Sequence, residues 1–416
     1  MLGTTGTIAR RPVVLVLHVD LFGGPVHSPY LYSMVRSLAD FEFAVLTGQP
    51  SSRIRLDAWP PNVRFLWRRG GWLDQAGAKM PPHLARIWGI AAESVRAFQN
   101  RRLVRGATFD LLHIHAAVEV ESLLRAGSRL RNRAFWIIAR WFSDFRWTHK
   151  PVLFTEHSQF SRRGELGFAN PLHEGDLVVA EAFPNVICVD RDAFRYLTAH
   201  DEKVGFSRRR WFVPNGIDTG LFYPRPLEDR PTLKIGYAGR IFRTGESRTF
   251  LPAVADSLPD DVELHLAVAT SMEETAIRRR WFPGGHVSIV RNVPNSEMPS
   301  FYWSVDLLVN PLVWGGIGRS TLEAMSCGRP AAMFSNADRY PLTDENGFLI
   351  PLEDTGAFLT LIDRLRKTRD ELSRKGRLSR VRIEQEFGER EVSEAMREVY
   401  RDLLPSKPRE GTVDRS

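Results

Sequence analysis

Asn310-Pro311-Leu312-Val313-Trp314-Gly315-Gly316-Ile317-Gly318-Arg319-Ser320-Thr321-Leu322-Glu323-Ala324-Met325-Ser326-Cys327-Gly328-Arg329-Pro330 is the stretch on which the reading of this chain turns. The apolar run just before it, Leu307–Asn310, reads as a short buried strand. That strand feeds a glycine loop, Ser320 and Thr321 open a helix, and Glu323 falls within its first turns. Backbone amides, hydroxyls and the helix dipole at such a junction can hold a phosphate. Glu323 is then free to accept hydrogen bonds from ribose hydroxyls. The loop lacks the GKS or GKT ending of a Walker motif, which disfavours a P-loop ATPase.

Working outward, apolar runs recur with helical stretches between them. One series comprises Val13–His18, Phe43–Leu46, Leu111–His115, Val152–Thr155, Val186–Val189 and Arg210–Val213. A second comprises Leu233–Ala238, Val262–Val268, Val287–Val290, Leu307–Asn310, Ala331–Met333 and Phe348–Ile350. Short buried strands alternating with helices indicate parallel βαβ units, so the chain reads as α/β with two consecutive parallel-sheet domains. Pro214, Pro224, Pro226 and Pro231 punctuate the boundary. We therefore expect an N-terminal domain over residues 1–217, a C-terminal domain over 218–404 and a flexible tail over 405–416. Ligands of open α/β sheets bind beyond the carboxyl ends of the strands, so the two sheets should face each other across a cleft.

Composition bounds the function. The 416 residues are 43% hydrophobic and 25% charged, enough for large cores. The two cysteines, Cys188 and Cys327, are too few for a disulfide framework and fit a reducing, cytoplasmic compartment. No apolar run reaches the roughly 18 residues of a spanning helix. Val13–Val19 follows Arg10 and Arg11 but stops at Asp20 without a small-residue cleavage site, and reads as a first strand rather than a signal peptide.

Charge is uneven. Residues 51–150 hold 18 Lys and Arg against 7 Asp and Glu, a balance of +11 in a chain of +8, so the remainder is net negative. The same segment carries Trp59, Trp67, Trp72, Trp88, Phe135, Trp136, Trp141, Phe142, Phe145 and Trp147. Arginine interleaved with interfacial aromatics suits an anionic membrane surface. A solvated basic face around core aromatics reads the same residues equally well. No nucleic-acid-binding signature accompanies the charge.

Other candidates stand at predicted strand ends. Gly23-Gly24 would let backbone amides approach a ligand closely, although a plain turn fits too. His113-Ile114-His115 places two imidazoles on one strand face, where hydrogen bonding is favoured over metal binding for want of further ligands. His157, in Thr155-Glu156-His157, could shuttle protons or serve as a structural histidine. Gly239-Arg240 with Arg243, Thr244, Gly245 and Arg248 suits a diphosphate, or a surface turn with incidental arginines. Residues 351–400 balance 11 basic against 11 acidic residues and read as amphipathic helices without chemistry.

Taken in order, these motifs resemble glycosyltransferase family 4, the retaining enzymes of the GT-B fold (glycosyl transferases group 1). Val213-Pro214-Asn215-Gly216-Ile217-Asp218 with Phe222 and Pro224 resembles the family's domain junction. Tyr237-Ala238-Gly239-Arg240 resembles the opening of its donor domain, and Leu322 to Pro330 its most recognisable block. The resemblance spans roughly residues 12–404. It implies two Rossmann-like domains and a nucleotide-diphosphate sugar held mainly by the second. Arg240 would face the diphosphate and Glu323 the ribose, with Gly316, Ile317, Gly318, Ser320 and Thr321 around the phosphates and sugar. Arg243 or Arg248 would supply a further cation. Gly23 and Gly24 would close over the donor, and His157 would approach sugar and acceptor. The catalytic set implied is His157, Arg240 and Glu323, with no cofactor and no required metal. The acceptor implied is a glycan or lipid-linked molecule in bacterial cell-surface polysaccharide or glycolipid synthesis, met in the cytoplasm or on the inner face of the plasma membrane. Two departures stand out. Gly315 occupies the place of a family glutamate, and no lysine follows Arg240 in Ile241-Phe242-Arg243-Thr244-Gly245-Glu246. They leave open a non-catalytic nucleotide- or glycan-binding scaffold, or a sugar-nucleotide epimerase of the same fold.

Overall fold

The structure, a computed structural model, describes residues 10–17, 29–48, 59–68, 81, 99–100, 102–115, 149–156, 180–181, 183–240, 247–284, 287–313 and 316–404. Gly23, Gly24, His157, Arg243, Gly315, residues 405–416 and most of the basic segment 51–150 lie outside the described residues.

Seven strands form the first sheet: β1 (Val13–Leu17), β2 (Glu42–Gly48), β3 (Val63–Arg68), β4 (Leu111–Ile114), β5 (Val152–Glu156), β6 (Asn185–Cys188) and β7 (Arg209–Phe212). They lie in the order β3-β2-β1-β4-β5-β6-β7, and each pairing is parallel. Six form the second: β8 (Leu233–Gly239), β9 (Val262–Val268), β10 (Val287–Arg291), β11 (Leu307–Asn310), β12 (Ala331–Phe334) and β13 (Phe348–Ile350). Their order is β10-β9-β8-β11-β12-β13, again parallel. Central strands such as β1 and β11 are buried throughout. An unbroken apolar strand is what a parallel sheet covered on both faces requires.

The helices that cover the sheets and flank the site are α1 (Pro29–Ser37), α2 (Arg191–Val204), α3 (Phe250–Ala255), α4 (Glu274–Trp281), α5 (Met298–Trp303), α6 (Arg319–Ser326), α7 (Thr355–Lys367), α8 (Arg369–Glu386) and α9 (Glu389–Leu403). One face of the second sheet packs on α3, α4 and α7, and the other on α5, α6 and α8. All twelve strands expected from the apolar runs are present, within two residues at each end. A thirteenth, β3, was not anticipated. It is an edge strand whose Arg64 and Arg68 break the apolar pattern that marks its neighbours.

β3 also revises the reading of the aromatics. Trp59 is buried, and its ring meets Tyr32 and Phe65 edge-on at 5.4 and 5.3 Å. Trp67 stacks on Phe65 at 5.0 Å. Trp59 thus belongs to the core of the first sheet and is not available to a membrane. Among the described residues no helix is long and apolar enough to cross a membrane.

The last helix lies within 218–404 yet packs on the first sheet. Val392, Met396, Val399 and Tyr400 fall at helical spacing on one face and join a core with Val14, Val16, Phe43 and Leu111. Arg36 of α1 pairs with Asp218 at 3.1 Å and with Glu389, and Arg397 pairs with Asp40 at 3.1 Å. The two chain passages between the sheets run side by side: Ile217 N–H donates to Phe387 O (2.8 Å), and Glu389 N–H to Ile217 O (3.0 Å).

Candidate active site

Strand order in the second sheet reverses between β8 and β11, so their carboxyl ends diverge and leave a crevice. A cavity of about 380 Å³ occupies it, lined by Gly239 at the end of β8 and Arg240 beyond it, Ala269 beyond β9, Asn310 and Leu312 at the end of β11, and Gly318, Arg319, Ser320 and Glu323 of the loop and α6. Ala238, Ala267, Val268, Val293, Met298 and Tyr302 complete the wall. Arg240 is exposed, and the turn that presents it is held by Tyr237, whose hydroxyl donates to Arg240 O at 2.9 Å.

Glu323 projects from the second turn of α6 and is 4% exposed. Its Oε2 accepts from the Tyr302 hydroxyl (2.8 Å), and its Oε1 from Arg319 Nε (2.9 Å). Burial raises the Glu323 pKa, opposed chiefly by Arg319. Burial and the Glu323 charge together push the Tyr302 phenol well above its usual value. The carboxylate that the sequence left free for a ligand is therefore engaged on both oxygens, with one lone pair on each still available. Arg319 also donates to Gly216 O (3.2 Å) at the chain passage between the sheets. Thr321 is buried and takes a hydrogen bond from Asn310 Nδ2 (2.8 Å), so it braces the loop from beneath rather than lining the cavity. The Asn310 Oδ1 is buried without a hydrogen-bond partner.

A second cavity of about 200 Å³ adjoins the first through Gly318 and Arg319 and lies between the sheets. Gly316 and Ile317 line it from one side, Asp190 and Arg191 from the other. Asp190 caps α2 and accepts from the Asp192 amide at 2.8 Å. The Gly316 amide also bonds its carboxylate. Burial, outweighing these bonds, raises the Asp190 pKa from 3.8 to about 6. A Cβ at residue 316 would overlap that carboxylate, so a side chain there would displace Asp190 from the loop. Arg339, 2% exposed, donates to Gly316 O (3.2 Å), Leu312 O (2.6 Å) and Phe334 O (2.8 Å), and burial lowers its pKa to about 10.

In the first sheet, His113 and His115 share a face as expected, with rings stacked at 4.3 Å. His113 Nδ1 lies 2.8 Å from the Tyr400 hydroxyl, and Nε2 lies 2.6 Å from Thr155 Oγ1. Among the described residues no group of three or more His, Cys, Asp or Glu is placed to hold a metal ion.

Of the residues singled out from sequence, Arg240, Gly318, Ser320 and Glu323 meet on one cavity, and Gly316 and Ile317 on its neighbour. Arg319, Tyr302, Asn310 and Asp190 escaped notice as site residues. Arg319 carried a usable signal, standing four residues before Glu323 on one helix face. Asp190 stands where an N-cap is expected, after a predicted strand. Tyr302 lies on a different helix and had none.

Residues 232–368 match the family model "Glycosyl transferases group 1". No curated protein matches the chain by sequence. Among solved structures, sucrose-phosphate synthase from Thermosynechococcus elongatus superposes with a TM-score of 0.70 at 16% identity, over 94% of this chain and 99% of that one. Anabaena HepE in complex with UDP and glucose gives 0.63 at 14%, over 94% and 99%. A variant of S. aureus TarM in complex with fondaparinux, alpha-GlcNAc-glycerol and UDP gives 0.66 at 10%, over 94% and 99%. The chain thus has the GT-B arrangement of two Rossmann-like domains, and its second sheet carries the group 1 sequence.

Proposed function

We propose that this chain, group 1 glycosyl transferase by its second sheet, moves a sugar from a nucleotide-diphosphate sugar to a glycan or lipid-linked acceptor with retention of configuration, in the manner of family 4. The observation that carries the reading is the cavity at the reversal of strand order, where Arg240, the N-terminus of α6 and Glu323 converge. A guanidinium and helix amides suit a diphosphate, and a buried carboxylate with spare lone pairs suits ribose hydroxyls. Stabilising the charge that develops on the departing diphosphate is the main catalytic contribution of such a site. Within residues 218–404 the second sheet and its helices would hold the donor, and the first domain the acceptor, with His157 assigned to approach sugar and acceptor. Gly23, Gly24 and Arg243 belong to the same proposal.

Two of the superposed structures, HepE and the TarM variant, are complexes with UDP, which makes uridine nucleotides the first to try. A thermal-shift and calorimetric screen of UDP, GDP and ADP with their common sugars tests the reading. A ligand at a hundred times its Kd stabilises a fold by about 2.7 kcal/mol. Stabilisation by one nucleotide sugar that disappears in Arg240→Ala is the expected result, and silence across the panel would remove the donor site. A bacterial surface-polysaccharide or glycolipid role, and contact of residues 51–150 with anionic membrane, belong to the proposal too. Salt-sensitive sedimentation with anionic liposomes but not neutral ones tests the membrane part.

One observation favours a second reading, a non-catalytic scaffold: Gly315 stands where a sugar-contacting glutamate is expected. Transfer or donor hydrolysis lost in Arg240→Ala would eliminate it.

A further inference from the structure

Asp190 is attached to the first sheet, yet its carboxylate ends inside the glycine loop of the second. Its two oxygens face different elements. Oδ1 accepts from the Asp192 amide (2.8 Å) and more distantly from the Ala193 amide (3.4 Å), which fixes the first turn of α2. Oδ2 occupies the space that a side chain at 316 would fill, and the Gly316 amide bonds the same carboxylate. The rest of that turn is fastened to the second sheet independently. Arg191 grips Asp338 with two hydrogen bonds of 2.7 and 2.8 Å and covers the Tyr340 ring at 3.8 Å. Arg195 adds a third bond to Asp338 at 2.9 Å, and the Asp338 amide donates to Asp192 at 3.2 Å. The neighbouring Arg339 holds the carbonyls of Leu312 and Gly316. The loop is thus gripped by its carbonyls from its own sheet and by its amide from the other.

We propose that Asp190 is a positioning residue that sets the glycine loop for ligand only when α2 is docked against residues 336–340. A glycine loop is otherwise the least constrained backbone in the site. Fixing the Gly316 amide in one direction leaves the later amides of the loop and α6 oriented toward the donor cavity, so the relative placement of the two sheets is read directly by the donor site. The donor role rests on the function proposed above, whereas the link between α2 and the loop stands without it.

The test uses the full chain and two substitutions that separate the two oxygens. Serine still caps a helix but is too short to reach Gly316, while asparagine has one acceptor for two jobs. In Asp190→Ser, amide exchange across residues 312–319 should accelerate at least tenfold while that of α2 stays at the wild-type rate. In Asp190→Asn, one of the two segments must loosen. With the nucleotide sugar picked out by the screen, Asp190→Ser should raise donor KM about tenfold and change kcat less. Wild-type exchange of the loop in Asp190→Ser, or of both segments in Asp190→Asn, overturns the inference. Accelerated loop exchange with unchanged donor KM would confine Asp190 to structure and equally overturn the positioning role. If no nucleotide sugar binds the wild type, the proposed function falls and the exchange data alone decide the link.

Discussion

Glu323 is held between a phenol and a guanidinium, and this defines what substitution there should do. Tyr302→Phe keeps the ring but removes one of two hydrogen bonds to a buried carboxylate. The expected loss is about 1.5–3 kcal/mol, read as a lowered melting temperature, with donor affinity falling as the carboxylate loses its orientation. Unchanged stability would mean that water replaces the phenol. At Asp190 the sign of the pH effect follows from its direction. Burial raises its pKa from 3.8 to about 6, so the folded chain holds that proton more tightly than the unfolded one. The contribution is fully present below pH 3.8 and is lost as pH rises through about 6, amounting to about 3 kcal/mol at most. Asp190→Asn should remove this slope from a plot of unfolding free energy against pH between roughly 4 and 6. Residue identities in the loop were legible because phosphate-binding geometry is local: strand, glycines and helix follow within one stretch. Partners such as Tyr302 and Asp190 were not, because their contacts depend on how distant segments pack.

At the scale of elements, α6 shows how a helix can be started and stopped for function. Its N-cap, Gly318, is extended and offers no side chain to the first amides. Its end is marked by Gly328 at φ 72°, in the left-handed region, with Pro224 3.2 Å from where a Cβ would stand. Gly328→Ala should therefore cost roughly 1–2 kcal/mol, checked by denaturant titration, with donor affinity little changed because the cavity lies at the opposite end. α9 makes a complementary case. Tyr400→Phe retains its packing on Phe41 but deletes the hydroxyl that meets His113, at an expected cost of about 1 kcal/mol. Strands in the interior of each sheet were readable from unbroken apolar runs. β3 was not, since an edge strand needs only one apolar face and here alternates with arginine.

Across the whole molecule, both sheets were visible in the sequence but the ownership of the last helix was not. An amphipathic face of Val392, Met396, Val399 and Tyr400 would fit either sheet, and nothing local says which. A chain stopped after Gly388 tests this. It should lose the near-ultraviolet signal and exchange protection of the first sheet while the second stays folded. Equal protection of both sheets would show that α9 is an accessory. The crossing has a consequence for how the protein is made. Every strand of the first sheet has been synthesised by residue 212, but the helix that completes the cover of one of its faces follows some 180 residues later. Until then the core around Val14, Val16 and Phe43 is covered by α1 residues such as Met34 and Val35 but lacks Val392, Met396, Val399 and Tyr400, and at about 5–20 residues per second that interval is roughly 10–35 seconds. A nascent chain whose apolar sheet face is only partly covered is a natural client for chaperones, and slowing translation beyond residue 212 should raise the aggregated fraction.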